Sequence, residues 1–236
     1  EFPIKPLFAG IETIGGMLAK NSAGDNEIKY GRMMARVDSL EIINAKGEQT
    51  KVSKSDLSEI IGMEGTTGII ISATLRLSEK KPKTMMILKA EDLDNVFNSN
   101  KKLRLNMDVC SIDLINRELS QTLGLEPKYH IFVELENDKG NIKGTDFEKF
   151  TKLKNQIYKK AAMRRFYVLE NAKFLVDSMQ DFLVYLESKK IPYFSHLASG
   201  CVYFMFLPEE IDKREEALKF AKKLNGKITK NSAQYE

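Results

Sequence analysis

A short connector near the end of the chain constrains the fold more than any other sequence feature. Residues 192–196 and 201–207 are two strand-like runs that only four residues separate. Parallel neighbours need a crossover of a dozen or more residues, so these two runs must pair as antiparallel strands. Strand and helix patterns alternate from residue 84 onwards, and the connector therefore favours an antiparallel α+β sheet over a doubly wound parallel one.

The spacing of apolar residues predicts the elements around this strand pair. Strands are predicted at residues 84–90, 129–135 and 166–169, and helices at 92–103 and 111–123. Apolar residues three and four positions apart predict two more helices, one on Phe147, Phe150, Leu153, Ile157 and Ala161, and one on Phe174, Leu175, Met179, Phe182, Leu183 and Leu186. A last helix follows Pro208 and carries Ile211, Leu218, Ala221 and Leu224. We expect an α+β unit with an antiparallel sheet and helices on one face.

Residues 1–80 are rich instead in glycine, serine, threonine and isoleucine. Residues 40–43 predict a strand that a turn joins to a second strand near residue 50. A β-branched run at 68–77 predicts a buried strand. The residues at 80–83, Lys-Lys-Pro-Lys, interrupt the pattern, so we expect one domain at 1–80 and another at 84–236.

Composition excludes several classes of protein. Of the 236 residues, 42% are hydrophobic and 30% are charged, so the chain can bury a core and is not a disordered segment. No run approaches 18 consecutive apolar residues, and no transmembrane segment is expected. Cys110 and Cys201 lie among apolar residues without metal-site spacing, which predicts buried free thiols. Residues 1–6 lack a signal-peptide layout, and a reducing cytoplasm is the expected location.

The excess of basic residues is concentrated in one segment. Residues 143–165 hold eight basic and two acidic residues, against a net charge of +4 for the whole chain. The aromatic residues of this segment keep core spacing, and no Gly-aromatic RNA motif or zinc finger accompanies them. We expect a solvated helix face and no nucleic acid, while a small anionic substrate or a partner protein remains open.

Two segments concentrate glycine: residues 13–24, TIGGMLAKNSAG, and residues 62–70, GMEGTTGII. Glycine permits positive φ and lets the backbone approach a ligand closely, and exposed N–H groups in such turns bind anions. Ordinary tight turns explain either segment equally well when it is taken alone. Neither segment matches the dinucleotide-binding GxGxxG or the phosphate-binding GxxxxGK[ST] loop.

Taken together, the two segments resemble a known family. Residues 13–24, then Lys29-Tyr30-Gly31, then residues 37–47 and 62–70 are similar to the second half of the FAD-binding domain of PCMH-type flavoproteins, the vanillyl-alcohol-oxidase superfamily. The glycolate oxidase D-subunit and D-lactate dehydrogenase family is the group most similar to it. The resemblance covers about residues 1–80, although Ser22, Ala23, Met63 and Thr67 depart from the family pattern.

The resemblance implies an FAD cofactor, a fold and an activity. The residues that it implies as main-chain contacts of FAD are Gly15, Gly16, Asn21, Ser22, Gly24, Gly65, Gly68 and Ile69. Residues 84–236 would then be the substrate-covering cap domain. The implied reaction oxidises a 2-hydroxy acid such as D-lactate or glycolate by hydride transfer to the flavin.

The cap departs from the family at its histidine motif, which is close to GHxGDGNLH. His196 occupies the place of the first histidine, but Tyr203 stands at the second and Ser199 at the aspartate. Residues 225–233 match a later family segment without its histidine or glutamate. One imidazole cannot hold a catalytic divalent ion, so no metal is expected. The resemblance leaves His196 and Tyr203 as candidate catalytic residues, with His196 as a proton acceptor.

Family members carry an N-terminal FAD subdomain, with a loop over the pyrophosphate, that has no counterpart in this sequence. We therefore expect a fragment whose missing subdomain lies in the same or a separate chain, with an electron-acceptor protein as a possible further partner. Two alternatives stay open. One is a degenerate, non-catalytic FAD-binding or complex-forming subunit of the family, and the other is an α+β protein whose glycines are only turns.

Overall fold

The computed structural model describes residues 1–4, 12–165 and 168–229, and the chain divides into two compact units, Glu1–Pro82 and Lys83–Glu236. Within the described residues, no helix is both long enough and apolar enough to cross a bilayer. Cys110 and Cys201 are free thiols; Cys110 is buried, whereas Cys201 is partly exposed. The expectation of two buried thiols therefore holds for Cys110 alone, since Cys201, at the start of a strand, is only partly buried.

The first unit is built on a small antiparallel sheet. Its described elements are α1 (Ile14–Ala19), α2 (Glu27–Tyr30), β1 (Val37–Ile43), β2 (Gln49–Val52) and β3 (Ile69–Leu75). Among the described residues the strand order is β2-β1-β3, which places β3 at an edge of this sheet. The core is formed by Met17, Leu18, Met33, Val37, Leu40, Ile42, Leu57 and Ile61, which are all buried. The expectation of a strand followed by a turn and a second strand near residue 50 is confirmed by β1 and β2.

The prediction of a buried strand at 68–77 is wrong about its burial. β3 is formed, but Ile69 and Ile71 are 67% and 44% exposed. A bulge in the pairing of β3 with β1 leaves Ile70 and Ala73 against the core. A run of β-branched residues indicates a strand but does not show which of its faces is covered.

The second unit is an antiparallel sheet with helices. The strands among the described residues are β4 (Thr84–Ala90), β5 (Val109–Ile115), β6 (Tyr129–Leu135), β7 (Val168–Lys173), β8 (Tyr193–His196), β9 (Cys201–Phe206) and β10 (Lys227–Thr229), in the order β10-β7-β9-β8-β5-β6-β4. The helices are α3 (Leu93–Leu103), α4 (Arg117–Thr122), α5 (Gly144–Asn155), α6 (Ile157–Ala162), α7 (Val176–Ser188) and α8 (Ile211–Lys223). The α+β class and the antiparallel pairing of β8 with β9 are confirmed.

The helix predicted at 111–123 is wrong over its first half. β5 occupies that stretch, and Asn116 caps the shorter helix α4, which begins at Arg117. Every residue of β5 is buried, so the strand shows no alternation of apolar and polar residues. A short apolar run of this kind fits a buried strand and a buried helix equally well.

Two other helices differ from the sequence prediction at their ends. The stripe that begins at Phe147 is divided between α5 and α6, although Phe147, Phe150 and Ile157 share one core. Phe174 and Leu175 precede α7, and Leu175 is 83% exposed. Spacing alone does not locate a helix end when no side-chain cap marks it, and α7 begins without one.

The helices lie against both faces of the sheet, so the expectation of a single covered face is wrong. Ser195 and His196 are neighbours on β8 and therefore project to opposite faces. Ser195 Oγ lies 3.7 Å from the sulfur of Met179 on α7, whereas His196 faces Asp113, which Lys154 of α5 contacts. β5 and β6 are buried along their whole length, and such strands need cover on both sides.

Candidate functional site

The two glycine segments of the first unit lie side by side. The N–H of Gly62 donates to the carbonyl of Leu18 at 3.1 Å, and the N–H of Glu64 donates to that of Ala19 at 2.9 Å. A Cβ added to Gly62 would lie 3.2 Å from Cβ of Asn21, so the two segments pack closely at this point. Segments about fifty residues apart in the sequence thus form one backbone surface.

Asn21 and Ser22 hold this surface together from within. Asn21 adopts a positive φ of 48°, and its Oδ1 accepts a hydrogen bond from the N–H of Met34 at 3.0 Å. The N–H of Ser22 donates to the carbonyl of Met17 at 2.8 Å, and its own carbonyl accepts from the N–H of Met33. The fold therefore uses the side chain of Asn21, whereas these contacts of Ser22 are made by its backbone.

The predicted glycines differ in what surrounds them. A Cβ on Gly65, where φ is +82°, would meet nothing within 4 Å. A Cβ on Gly68, where φ is +153°, would lie 2.9 Å from the carbonyl oxygen of Ile43. Gly68 thus allows β3 to pair with β1, whereas Gly65 leaves open space beside its backbone.

The other predicted FAD residues belong to the same unit. Gly15 and Gly16 are in α1, which Thr13 caps by accepting the N–H of Gly16 on its Oγ1 at 3.1 Å. The carbonyl of Gly24 accepts the N–H of Glu27 and so begins α2. Ile69 follows Gly68, and its side chain is exposed.

In the second unit, His196 belongs to a buried group of charged side chains. His196 Nδ1 lies 2.6 Å from Asp113 Oδ1, and Lys154 Nζ lies 2.7 Å from Asp113 Oδ2. Ser111 Oγ donates to the same Oδ2 at 3.3 Å. The side chains of Asp113, Lys154 and His196 are 0%, 3% and 13% exposed, so the histidine is the member most open to solvent.

The ion pair determines the charge of Asp113. Burial by itself raises the pKa of this carboxyl, but the positive charges of Lys154 and of His196 when it is protonated, together with the hydrogen bonds from both side chains, outweigh burial and lower the pKa to about 2. Asp113 is therefore a carboxylate at neutral pH. With both oxygens occupied, it fixes the orientation of the imidazole.

Tyr203 lies on the same face of the sheet as His196. The two rings meet edge to face, with centroids 5.7 Å apart, and Phe194 contacts both of them. The two candidate catalytic residues are therefore neighbours. The candidate FAD residues all belong to the other unit.

Sequence reasoning missed Asp113 and Lys154. Asp113 lies on β5 and not in the predicted helix, and Lys154 is buried and not on a solvated face, so both predictions are wrong at these residues. An aspartate inside the apolar run Val-Cys-Ser-Ile-Asp-Leu-Ile was a usable signal, because a buried carboxylate needs a partner. Nothing local in the sequence distinguishes Lys154 from its seven basic neighbours.

The other histidine, His130, has a structural role. Its Nδ1 lies 3.0 Å from Ser120 Oγ and 3.1 Å from the carbonyl oxygen of Lys128. Among the described residues, no three His, Cys, Asp or Glu side chains are grouped as metal ligands. In the segment 225–233, Asn225 and Gly226 lead into β10, and residues 230–233 lie outside the described residues.

Relatives with known activities match part of this chain. A D-2-hydroxyglutarate dehydrogenase of Stutzerimonas stutzeri is 27% identical over 135 residues, 52% of this chain and 29% of that protein. A D-lactate dehydrogenase of Archaeoglobus fulgidus is 36% identical over 108 residues, 42% and 24% of the two chains. The glycolate oxidase subunit GlcD of Bacillus subtilis is 35% identical over 104 residues, 39% and 22%. The matches thus span less than a third of each relative.

Solved structures show the same fold. An alkyldihydroxyacetonephosphate synthase aligns with a TM-score of 0.65 at 15% identity, over 97% of this chain and 55% of that one. Comparison with models of protein families gives no match. Sequence kinship to 2-hydroxy-acid dehydrogenases and a shared fold with the synthase therefore come from separate observations.

Proposed function

We propose that the chain is part of an FAD-linked oxidoreductase that oxidises a 2-hydroxy acid. The basis is its sequence similarity to D-2-hydroxyglutarate dehydrogenase, D-lactate dehydrogenase and glycolate oxidase subunit GlcD. In this proposal residues 1–80 are the second half of the FAD-binding domain, and residues 84–236 are the cap. The observation that carries it is the packing of the two glycine segments into one backbone surface, which isolated turns do not require.

This surface fits part of an FAD site. The backbone at Gly65 has open space beside it, and a Cβ on Gly15 would lie 3.9 Å from the carbonyl oxygen of Ile70 on β3. Apolar residues adjacent in sequence to the glycines are exposed: Ile14 by 41%, Met63 by 43% and Ile69 by 67%. Backbone groups can hydrogen-bond the polar edges of a flavin, and the apolar side chains can cover its rings. FAD, when bound, would supply the hydride acceptor.

The same exposed side chains support the proposal of a further FAD subdomain, in this or a separate chain. The matched segments cover 22% to 29% of the three relatives. In residues 1–82, an apolar strand edge with Ile69 and Ile71 exposed is a surface that proteins normally cover. We propose that the subdomain carrying the pyrophosphate loop packs there.

Titration of FAD into residues 1–236 tests the cofactor half of the proposal. Without the pyrophosphate loop, several charge-assisted hydrogen bonds are lost, each worth roughly 1.5–3 kcal/mol. Every 1.4 kcal/mol corresponds to about tenfold in affinity, so FAD should bind several orders of magnitude more weakly than to an intact relative. A nanomolar Kd would show that the site needs no further subdomain.

Flavin reduction tests the reaction. The complete FAD-loaded protein is mixed anaerobically with D-lactate, glycolate or D-2-hydroxyglutarate, and the flavin absorbance is followed. We expect bleaching by at least one of the three acids. A protein that binds FAD but is reduced by none of them would reject the oxidoreductase and leave the alternative below.

The alternative is a degenerate, non-catalytic FAD-binding or complex-forming subunit of the same family. It is favoured by one observation: Tyr203 and Ser199 stand where the family has a histidine and an aspartate. Tyr203 contacts the ring of His196 but is a poor replacement for a metal ligand. The reduction experiment separates this alternative from the first proposal.

A further inference from the structure

We propose that Asp113 and Lys154 are positioning residues for His196, holding its imidazole neutral with the proton on Nδ1 and the lone pair on Nε2. Nε2 is then the atom that accepts the hydroxyl proton of the substrate. This role rests on the proposed function, since it needs a 2-hydroxy acid as the substrate. The hydrogen-bonded geometry of the three side chains can be tested without it.

The hydrogen bonds determine the tautomer. An ionised carboxylate has no proton to donate, so the 2.6 Å contact with Asp113 Oδ1 requires a hydrogen on His196 Nδ1. In a neutral ring, Nε2 then carries the lone pair. His196 also keeps 13% of its side chain exposed, whereas its two partners are enclosed, so the ring is the part of the group that a substrate can approach.

Lys154 determines the charge of the ring. A buried carboxylate paired only with a histidine would favour the imidazolium, whose Nε2 is protonated and cannot act as a base. Lys154 Nζ already lies 2.7 Å from Asp113, so a protonated ring would place a second positive charge beside the same carboxylate. The lysine thus keeps the histidine in its basic form. A lysine placed on the surface, as the basic segment 143–165 suggested, could not do this.

In the proposed reaction, each bond that breaks in the substrate is matched by an acceptor for the proton or the hydride. The O–H bond of the substrate breaks, and its proton forms an N–H bond at His196 Nε2. The C–H bond at C2 would break as well, and FAD, when bound, would accept that hydrogen with its electron pair. The 2-hydroxy acid becomes a 2-oxo acid, and the proton returns to solvent from the imidazolium. Asp113 stays ionised throughout and stabilises the charged ring.

Nitrogen NMR of the labelled histidines in residues 1–236 tests the geometry. The chain has two histidines, so the variant His130→Gln assigns the remaining signals to His196. The wild-type ring is expected to be neutral with its hydrogen on Nδ1. In Asp113→Asn the amide can accept from Lys154 and donate to Nδ1, which should move the hydrogen to Nε2. Ser111→Ala removes only the 3.3 Å contact and should leave the tautomer unchanged.

Lys154→Met is the second variant, and it keeps the test decisive if Asp113→Asn does not fold. Its aliphatic stem fills the same space, and the loss of the ammonium should convert His196 to the imidazolium at neutral pH. A wild-type ring with its hydrogen on Nε2, or a ring unaffected by either substitution in folded protein, would overturn the proposal.

Kinetics on the complete FAD-loaded protein then connect the geometry to the reaction. Asp113→Asn should slow flavin reduction by about 10²–10⁴-fold with little change in substrate affinity, because the base is lost while binding is not. Normal reduction by a variant with the wrong tautomer would overturn the catalytic role of the pair. If the wild type itself is not reduced, the proposed function fails, and the NMR result still decides the geometry.

Discussion

At the scale of single residues, Gly65 and Gly68 differ in what an added Cβ would meet: open space at Gly65 and packed backbone at Gly68. Both have positive φ, so alanine strains the backbone at either position, by roughly 1 kcal/mol. Only at Gly68 would the added Cβ also approach a backbone oxygen, that of Ile43, at 2.9 Å. We predict that Gly68→Ala lowers the free energy of unfolding by about 2–4 kcal/mol and Gly65→Ala by about 1 kcal/mol, as measured in urea.

For FAD binding we expect the opposite order, with the larger loss of affinity in Gly65→Ala. The methyl group of Gly65→Ala would enter the open space beside the backbone, so FAD binding should weaken at least tenfold in protein that remains folded. An unchanged Kd in this variant would remove Gly65 from the proposed cofactor surface.

His130 gives a prediction for the dependence of stability on pH. Burial lowers its pKa below 6.5, so the unfolded chain binds a proton more readily than the folded protein does. Stability from this residue is therefore complete above about pH 6.5 and is lost as the pH falls towards the lower, folded value. We predict that His130→Gln flattens the fall in unfolding free energy between pH 7 and pH 5. A variant with the wild-type slope would contradict this assignment.

At the scale of elements, Asn116 connects β5, α4 and β8. Its Oδ1 accepts hydrogen bonds from the N–H groups of Leu119 and Tyr193, both at 3.1 Å, and its Nδ2 donates to the carbonyl of Ile191 at 3.0 Å. Asn116 is fully buried, so these backbone groups have no solvent to replace it. We predict that Asn116→Ala costs about 2–4 kcal/mol of stability in chemical unfolding.

Asp92→Ala is the matched control for this prediction. Asp92 caps α3 by accepting the N–H of Asn95 at 2.7 Å, but it lies at the surface, where water can take its place. Its loss should cost about 1 kcal/mol. Equal effects of the two substitutions would mean that the cap on α4 is no more than a surface cap.

The sequence predicts an element correctly where its apolar residues follow a single periodicity and a clear boundary ends the run. β6 and β4 have the predicted bounds, and the four-residue connector correctly made β8 and β9 antiparallel. The sequence pattern does not identify β5, because a strand buried on both faces shows no alternation of apolar and polar residues. The short strand β10, Lys227–Thr229, was not predicted either, since three polar-flanked residues carry no periodic signal.

At the scale of the whole molecule, the candidate site could be predicted only where its residues are close in the sequence. The glycine segments were recognisable as motifs, and their packing follows from contacts that no motif describes. The pairing of Asp113 with His196 and Lys154 joins positions 83 and 41 residues apart. Such a group depends on strand order and helix placement, so one sequence could not reveal it.

The junction between the two units gives the last prediction. At one end of the junction, Glu1 and Ser78 exchange backbone hydrogen bonds. At its other end, Lys83 Nζ lies 3.2 Å from Glu134 Oε1. Residues 79–82 between these anchors are exposed and belong to no helix or strand. Such a segment is where proteases cut first. We predict that limited trypsin digestion cleaves after Lys80, because the bond after Lys81 is followed by proline.

Lys46 is the internal control for this digestion. Lys46 is also exposed, but two hydrogen bonds to Asn44 close the turn in which it lies. The N–H of Gly47 donates to the carbonyl of Asn44, and the N–H of Lys46 donates to Asn44 Oδ1. Mass spectrometry should find the fragment 81–236 before any cut at Lys46, and the fragment should resist further digestion because its sheet has a core of its own. Early cleavage within residues 84–229 would show that this sheet is not an independent unit, and the proposed division into cofactor domain and cap would fail with it.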